Sequence, residues 1–253
     1  MNIKNLDAAW QQAAHAAPRV ISCDVFDTLL KRNHIAESSR VKLIARRAAA
    51  MLADECGVRI DADAIWRSRV DVQHYAYRAL DMTHPTGEVR FARMMEALAA
   101  LLGLGAAEAA VLARAEIAVE QTQLAPNVPL LAWLAQRAAA GIRIIAVSDI
   151  WHDAATIRGL LDAVAPGHPV TMVYTSADFD ASKRSGAIFP LLTAAEQLPA
   201  GAFFHIGDDE LADERMPRRA GLNAHRIARP GMTLLYRRLD GANARLRHRM
   251  PQR

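Results

Sequence analysis

An apolar run of strand-forming residues near the start of this 253-residue chain ends directly on an aspartate. Residues Val20 to Cys23 have the apolar, β-prone character of a short buried strand, and Asp24 follows them. A carboxylate at the end of a buried strand is costly to place unless other groups partner it. In open parallel sheets, ligands bind at the carboxyl ends of the strands. We therefore expect the rest of the chain to supply the partners of Asp24.

Strand-like and helical segments alternate in the second half of the chain. The apolar runs that we interpret as further strands are 142–147, 170–174, 202–206 and 222–227. The segments between them have helical periodicity and begin or end with helix-capping residues. Strands that alternate with helices form parallel sheets. The sequence therefore predicts an α/β fold with a Rossmann-like, doubly wound parallel sheet.

A long helical region interrupts this pattern soon after the first strand. Amphipathic periodicity runs from 33 to 125, with a turn at the sequence His84–Gly87. We predict that residues 33–125 form an inserted helical cap domain. Residues 1–32 and 126–253 then form the α/β core.

The C-terminal region is strongly basic. Ten arginines and one acid, Asp240, follow Pro217, so this region carries a formal charge of +9 in a chain of net charge +4. We predict a basic tail at 229–253 that is solvated or docks on an acidic partner or an anionic surface. Nucleic acid is not favoured as that partner, because Tyr236 is the one aromatic residue among the arginines.

The composition gives no indication of secretion or membrane insertion. The two cysteines, Cys23 and Cys56, have no motif spacing, which is typical of proteins in reducing compartments. The first ten residues include an acid and lack the apolar run of a signal peptide. No apolar run approaches the roughly 20 residues that a membrane span needs. We therefore expect a cytoplasmic protein without a membrane span.

Polar residues follow three of the five predicted strands at the point where each strand ends. Asp24 follows the first strand, Ser148 the second, and Asp208 with Asp209 the fourth. Lys183 lies in the connection between the third and fourth strands. Because parallel strands joined by right-handed crossovers end at the same edge of a sheet, we expect these side chains to gather there.

This combination of residue types suits phosphoryl transfer. A carboxylate can attack phosphorus and form an aspartyl phosphate. Attack on a phosphate dianion needs charge neutralisation, which a Mg²⁺ ion bound by carboxylate oxygens supplies. A lysine and a hydroxyl can hold the remaining phosphate oxygens. We therefore expect Mg²⁺ as the cofactor and a small phosphorylated metabolite as the substrate.

The order of these residues resembles the four motifs of the haloacid dehalogenase-like (HAD) superfamily. That family has an Asp followed by Thr-Leu, then a strand ending in Ser or Thr, then a Lys before a helix, and finally G-D-x-x-x-x-D. The matching residues are Asp24, Thr28 and Leu29, then Ser148, then Lys183, and finally Gly207, Asp208 and Asp213. The helical insert resembles the C1-type cap of that superfamily. The sequences D-V-F-D-T-L-L, V-S-D and S-K-R-S-G are also similar to those of uncharacterised HAD proteins associated with glycosyltransferases.

The resemblance implies roles for these residues. Asp24 is the expected nucleophile and also a metal ligand. The backbone carbonyl of Phe26 and the carboxylate of Asp208 are the other expected metal ligands. Asp209 is expected either to reach the ion through water or to face solvent. Ser148 and Lys183 are expected to hold the phosphoryl group. Asp213 is expected to orient the backbone of its loop.

One departure from the family pattern leaves three functions open. Phosphatases of this superfamily usually carry a second Asp two residues after the nucleophile, and here that position is Phe26. In the first, the protein is a phosphatase in which Asp27, a cap residue or water transfers the proton. In the second, it is a metal-independent 2-haloacid dehalogenase. In the third, it is a binding or scaffold domain without turnover. The acids at 208 and 209 favour the phosphatase, because they suit a bound cation and would repel an anionic haloacid.

Overall fold

A computed structural model describes residues 3–247 of the chain. The β-strands, in chain order, are β1 (Val20–Cys23), β2 (Leu30–Arg32), β3 (Leu124–Pro126), β4 (Arg143–Ser148), β5 (Met172–Thr175), β6 (Phe203–Gly207) and β7 (Asn223–Arg226). The α-helices are α1 (Ile3–Ala13), α2 (Glu37–Cys56), α3 (Ala62–Thr83), α4 (Phe91–Leu101), α5 (Ala106–Thr122), α6 (Val128–Ala139), α7 (Ala154–Val164), α8 (Ser176–Phe179), α9 (Ile188–Glu196), α10 (Met216–Arg219) and α11 (Gly231–Arg247). A π-helical turn, Leu211–Arg215, precedes α10 directly.

Five strands form one parallel sheet in the order β5-β4-β1-β6-β7. The central strand β1 pairs on both sides, with Cys23 opposite Ala146 of β4 and Ile206 of β6. The N–H of Asp24 continues this pairing and donates to the carbonyl of Ile206 at 2.8 Å. The sheet therefore presents Asp24 at its middle, where the chain connections diverge to either side, as at the ligand-binding position of doubly wound folds.

Helices cover both faces of this sheet. Phe203 belongs to a buried apolar cluster that includes Phe189 of α9. The next residue of β6, Phe204, makes an edge-to-face contact with Trp10 of α1. Successive residues of a strand point to opposite faces, so the sheet is buried on both sides. This burial explains why the core strands are continuous apolar runs, and it confirms the predicted α/β class and parallel sheet.

The structure departs from the predicted elements in local detail. Strand bounds differ by one or two residues, and the strands β2 and β3, which pair with each other, were not predicted. The segment between the fourth and fifth predicted strands, which has helical periodicity, contains the π-helical turn followed by one short α-helix. The π turn places Asp213 so that its carboxylate bonds to the backbone of residues 208 and 209.

The chain divides into two compact units. The first contains the parallel sheet and comprises 3–31, 80–90 and 125–229. The second is helical and comprises 32–79, 91–124 and 230–247. This division differs from the boundaries drawn from the sequence at residues 80–90, which belong to the α/β unit, and at residues 230–247, which belong to the helical unit. Local hydrogen bonding explains the first difference, because the N–H of Glu88 donates to Asp180 and the N–H of Ser182 donates to the carbonyl of Thr86.

The described part of the segment predicted as a basic tail is the helix α11. It packs against α2 within the helical unit. Asp240 accepts a hydrogen bond from the N–H of Ala36 at 2.8 Å, and Arg237 donates to the carbonyls of Arg32 and Asn33. Its charged residues thus bond to backbone groups of the same unit as well as facing solvent. None of the described helices combines the length and the apolar character needed to cross a membrane.

Candidate active site

The loop after β1 is a tight turn that fixes Asp24. The carbonyls of Asp24 and Val25 accept hydrogen bonds from the N–H groups of Leu29 and Leu30. Asp27 adopts a left-handed conformation, with φ of 61°, and its N–H donates to the carbonyl of Leu30 at 2.7 Å. Aspartate tolerates this conformation better than most residues. The turn keeps the carboxylate of Asp24 buried at the end of the central strand.

Lys183 is a buried cation that bridges two carboxylates. Its side chain is 2% exposed, and Nζ donates to Oδ1 of Asp24 at 2.7 Å and to Oδ1 of Asp213 at 2.6 Å. The lysine loop is held by Asp149, whose carboxylate accepts from the N–H groups of Lys183 at 2.5 Å and Arg184 at 3.0 Å. The position of Lys183 is therefore fixed from two neighbouring strands, because Asp24 follows β1 and binds its ammonium group, and Asp149 follows β4 and binds its backbone.

The G-D-x-x-x-x-D motif folds back on itself. Oδ2 of Asp213 accepts from the N–H groups of Asp208 at 3.1 Å and Asp209 at 3.0 Å. A Cβ atom on Gly207 would lie 2.2 Å from Cγ of Asp213, so no larger residue fits at this position. Asp213 orients the loop backbone and, through Oδ1, also Lys183 and His205.

Three carboxylates converge at the strand ends. Oxygen atoms of Asp24, Asp208 and Asp213 all lie within 4.8 Å of one another. Burial, reinforced by the charges of Asp213 and Asp208, raises the pKa of Asp24 to about 8 against the opposing effect of Lys183. Burial also raises the pKa of Asp208. Although burial acts in the opposite sense, Lys183 and His205 hold the pKa of Asp213 well below its usual value.

This cluster contains more acids than cations. Side-chain ion pairs join four carboxylates, those of Asp24, Asp27, Asp208 and Asp213, to the cations Lys183 and Arg229. One divalent cation would neutralise the difference. The available donors are oxygens, which is the ligand type that Mg²⁺ prefers. The residues present therefore fit a Mg²⁺ ion at Asp24 and Asp208, with the loop carbonyl of Phe26 as the third predicted protein ligand.

Ser148 ends β4 beside this cluster. Its side chain is buried, and its hydroxyl has no hydrogen-bond partner among the described residues. Buried hydroxyls are nearly always hydrogen-bonded in folded proteins. A buried hydroxyl without a partner at the carboxyl edge of a parallel sheet indicates that a bound molecule supplies its hydrogen bond.

The structure gives Asp209 a different environment from the one expected of a metal ligand. Its Oδ1 accepts from the N–H groups of Leu211 at 2.9 Å and Ala212 at 2.8 Å. Its Oδ2 accepts from Arg184 at 2.8 Å. Aspartate readily bonds to backbone groups two or three residues ahead, and this local bonding occupies both of its oxygens. Asp213, and not Asp209, is the third carboxylate within reach of Asp24 and Asp208.

Arg229 is a site residue that the sequence analysis did not identify. Its Nε donates to Oδ2 of Asp208 and lies 3.5 Å from Oδ2 of Asp27. Arg229 follows β7 by three residues, so the rule that found Asp24 and Ser148 applies to it as well. The sequence pattern instead places it in the basic tail, because six more arginines follow it. The parallel sheet brings it to the same edge.

Comparison with known proteins supplies the fold family. No model of a known protein family matches the chain, and no curated protein matches it. Among solved structures, an L-2-haloacid dehalogenase is similar with a TM-score of 0.55 and 20% identity, over 85% of this chain and 87% of that chain. A dehalogenase with an intermediate complex has a TM-score of 0.51 and 16% identity, over 85% and 86% of the two chains.

The chain has the haloacid dehalogenase-like fold. This confirms the resemblance that the four motifs indicated. A magnesium-bound HAD hydrolase from Bacillus subtilis is also similar, with a TM-score of 0.48 and 19% identity over 81% of this chain and 86% of that chain. At these identities the likeness concerns the fold alone. The activity must be inferred from the strand-end cluster, which we define as Asp24, Asp27, Asp208 and Asp213 with Lys183 and Arg229.

Proposed function

We propose that this protein is a Mg²⁺-dependent phosphatase that hydrolyses a small phosphorylated metabolite through an aspartyl-phosphate intermediate. The observation that carries the proposal is the excess of buried carboxylate at the sheet edge. Four carboxylates share two cationic side chains, and the pKa of Asp24 is raised to about 8. Such a cluster favours the binding of a divalent cation, because the cation offsets the negative charge of the carboxylates and of an incoming phosphate group.

In this proposal, the chain's own residues have distinct tasks. Oδ1 of Asp24 is held by Lys183, which leaves Oδ2 to attack phosphorus and displace the alcohol. The hydroxyl of Ser148 and the ammonium of Lys183 bind phosphoryl oxygens. Bound Mg²⁺ would supply Lewis-acid charge neutralisation. Water then attacks the phosphorus of the aspartyl phosphate, which releases phosphate and regenerates the carboxylate.

A proton donor and acceptor is also needed, because the leaving alcohol takes up a proton and the attacking water loses one. Asp27 is the second carboxylate of the same loop, three residues after Asp24. Its carboxylate is largely buried and pairs with Arg229, whose Nε lies 3.5 Å from its Oδ2. We assign the proton transfer to Asp27 in place of the usual acid, whose position is occupied by Phe26.

The proposal is tested by phosphate release from an aryl phosphate in the presence of Mg²⁺. The Asp24→Asn variant should lose activity by at least about 10³-fold, as expected for loss of a nucleophile. The matched control is Glu210→Gln, which removes an exposed acid that follows β6 and pairs with Arg226 of β7. Activity that survives in Asp24→Asn would contradict the mechanism.

Metal-independent dehalogenation is a second candidate, favoured by one observation. Phe26 is a buried aromatic residue at the position where phosphatases of this fold carry an acid and dehalogenases an aromatic residue. The carboxylate excess argues against this candidate, because it would repel an anionic haloacid. Halide release from a 2-haloacid in the presence of a chelator, without phosphate release in Mg²⁺, would support dehalogenation instead.

A further inference from the structure

The two cations of the cluster are held in different ways. Lys183 has a 2% exposed side chain, and its ammonium bridges Asp24 and Asp213. Arg229 reaches the cluster from the surface, with a side chain that is 37% exposed, and its ion pairs are with Asp208 and Asp27. Removing Lys183 from its position would leave a buried charge unpaired, whereas the guanidinium of Arg229 can turn towards water at much lower cost.

Arg229 and a metal ion require the same carboxylate. Oδ2 of Asp208 already accepts from Nε of Arg229, and Oδ1 lies 3.5 Å from the hydroxyl of Thr28. A divalent cation bound to Asp208 would lie next to the guanidinium, and like charges at such separations repel strongly in a partly buried site. Binding of the ion and retention of the Arg229–Asp208 pair therefore oppose each other.

A guanidinium released from Asp208 stays close to the reacting group. It remains at the edge where Asp24 ends the central strand, with Asp27 as its second ion-pair partner. Its planar fork of N–H donors matches the oxygens of a phosphate group better than a point charge does. One divalent ion together with Lys183 and Arg229 neutralises the four carboxylates. An arriving phosphate dianion then brings new negative charge, which the guanidinium of Arg229 can bind.

We propose that Arg229 is a phosphate-binding residue that is held on Asp208 until Mg²⁺ takes that carboxylate, and that it then binds the phosphoryl group of the substrate. This inference rests on the proposed phosphatase function. It makes metal and phosphate binding sequential, because the metal releases the side chain that phosphate uses. By thermodynamic linkage, phosphate should in turn tighten the binding of Mg²⁺.

The test measures two binding constants by isothermal titration calorimetry of the full-length chain. In Arg229→Gln, Mg²⁺ alone should bind several-fold more tightly than in the parent protein, because its competitor for Asp208 is gone. In saturating Mg²⁺, inorganic phosphate should bind about tenfold more weakly, the size expected for loss of a charged hydrogen bond. The opposite signs distinguish this role from a structural one, which would weaken both.

Arg184→Gln is the matched control. Arg184 pairs with the neighbouring Asp209 and has a 60% exposed side chain, so its loss removes the same charge nearby without freeing Asp208. Its effect on Mg²⁺ binding should be clearly smaller. Arg229→Lys, which keeps the charge but not the planar fork, should recover the parent Mg²⁺ affinity more fully than the phosphate affinity, and it also serves if the glutamine variant folds poorly.

The outcomes separate this inference from the function on which it rests. If the parent protein binds neither Mg²⁺ nor phosphate in Mg²⁺, both the function and the role of Arg229 are contradicted. If the parent protein binds both and releases phosphate through Asp24, but Arg229→Gln leaves either constant unchanged or weakens Mg²⁺ binding, the role of Arg229 alone is overturned.

Discussion

Two buried groups of charged side chains, one in each unit, differ in whether their charges balance. In the helical unit, Arg69 and Glu116 form a two-pronged ion pair at 2.9 and 2.8 Å, and both residues are less than 5% exposed. A further N–H of Arg69 donates to Gln73 at 2.9 Å. One cation faces one anion, and hydrogen bonds satisfy both. Removing one partner of such a pair is strongly destabilising, and the balanced pair itself leaves no charge for a ligand to neutralise.

The strand-end cluster of the α/β unit is unbalanced. Its carboxylates outnumber its cations, the pKa of Asp24 is raised to about 8, and the hydroxyl of Ser148 lacks a partner among the described residues. The physical lesson is that burial of charge alone does not identify an active site. Burial with an uncompensated charge does, because the missing countercharge must come from a bound ion or molecule.

The largest expected effect tests the balanced pair. Arg69→Met leaves Glu116 buried without its partner, so the free energy of unfolding should fall by about 3–5 kcal/mol. Urea denaturation followed by circular dichroism measures this. The exposed pair Arg93–Glu96 provides the control, since Arg93→Met should cost at most about 1 kcal/mol. Equal costs for the two variants would show that the buried pair is not the structural element described.

Ser148→Ala tests the unpartnered hydroxyl of the unbalanced cluster. We expect phosphate release to fall by about 10²–10³-fold, as for loss of one donor to the reacting group, with almost no change in the free energy of unfolding. Ser22→Ala should behave in the opposite way, because its hydroxyl bonds to Nδ1 of His205 at 2.8 Å inside the core. A large loss of stability in Ser148→Ala would contradict the interpretation.

Addition of Mg²⁺ tests whether an ion supplies the missing charge. At about 100 times its dissociation constant, Mg²⁺ should raise the free energy of unfolding by about 2.7 kcal/mol, and a chelator should reverse the change. Asp208→Asn should lose most of this stabilisation. Thermal denaturation with and without Mg²⁺ measures both proteins, and an equal shift in the two would exclude Asp208 as a ligand.

His205 should give the smallest effect, a pH dependence. Burial lowers the pKa of this histidine below its unfolded value of about 6.5, so the unfolded chain binds its proton more readily than the native protein does. The contribution of His205 to stability is therefore lost as the pH falls below about 6.5, and should amount to about 1 kcal/mol between pH 7 and 5.5.

The measurement is the difference between the parent protein and His205→Gln in urea denaturation at the two pH values. Comparing the two proteins cancels the titration of the carboxylates, which changes stability in the same pH range. The glutamine variant should be less stable at pH 7, because the histidine ring packs on Phe189, but its stability should fall less on acidification. Parallel pH profiles would contradict the shifted pKa of His205.

Much of the fold and part of the site could be predicted because they depend on local sequence. Continuous apolar runs mark strands that are buried on both faces, and Asp24, Ser148 and Asp208 are found at or directly after the ends of such runs. Because the carboxyl ends of parallel strands lie at one edge of the sheet, these residues could also be predicted to lie close together. Lys183 was predicted by its motif, and the structure places its ammonium 2.7 Å from Asp24.

The choice between Asp209 and Asp213 could not be made in this way. Both are acids of the same motif, and composition does not distinguish them. The π-helical turn at Leu211–Arg215 directs Asp213 inward to Lys183, while Asp209 bonds to the N–H groups that begin that turn. Arg229 was missed for a different reason. It follows the last strand of the sheet, but the arginines after it place it in the predicted basic tail, and composition does not distinguish an arginine with an inward contact from solvated ones.

The sequence by itself determined which strands form the parallel sheet and which polar residues follow three of them, because burial and strand propensity act within a few neighbouring residues. The tertiary structure alone decided how many carboxylates share each cation, whether Asp209 or Asp213 enters the cluster, and that Arg229 pairs with Asp208. Those outcomes depend on distances of a few ångströms between residues far apart in the chain, over which Coulomb energies and hydrogen bonds change most steeply.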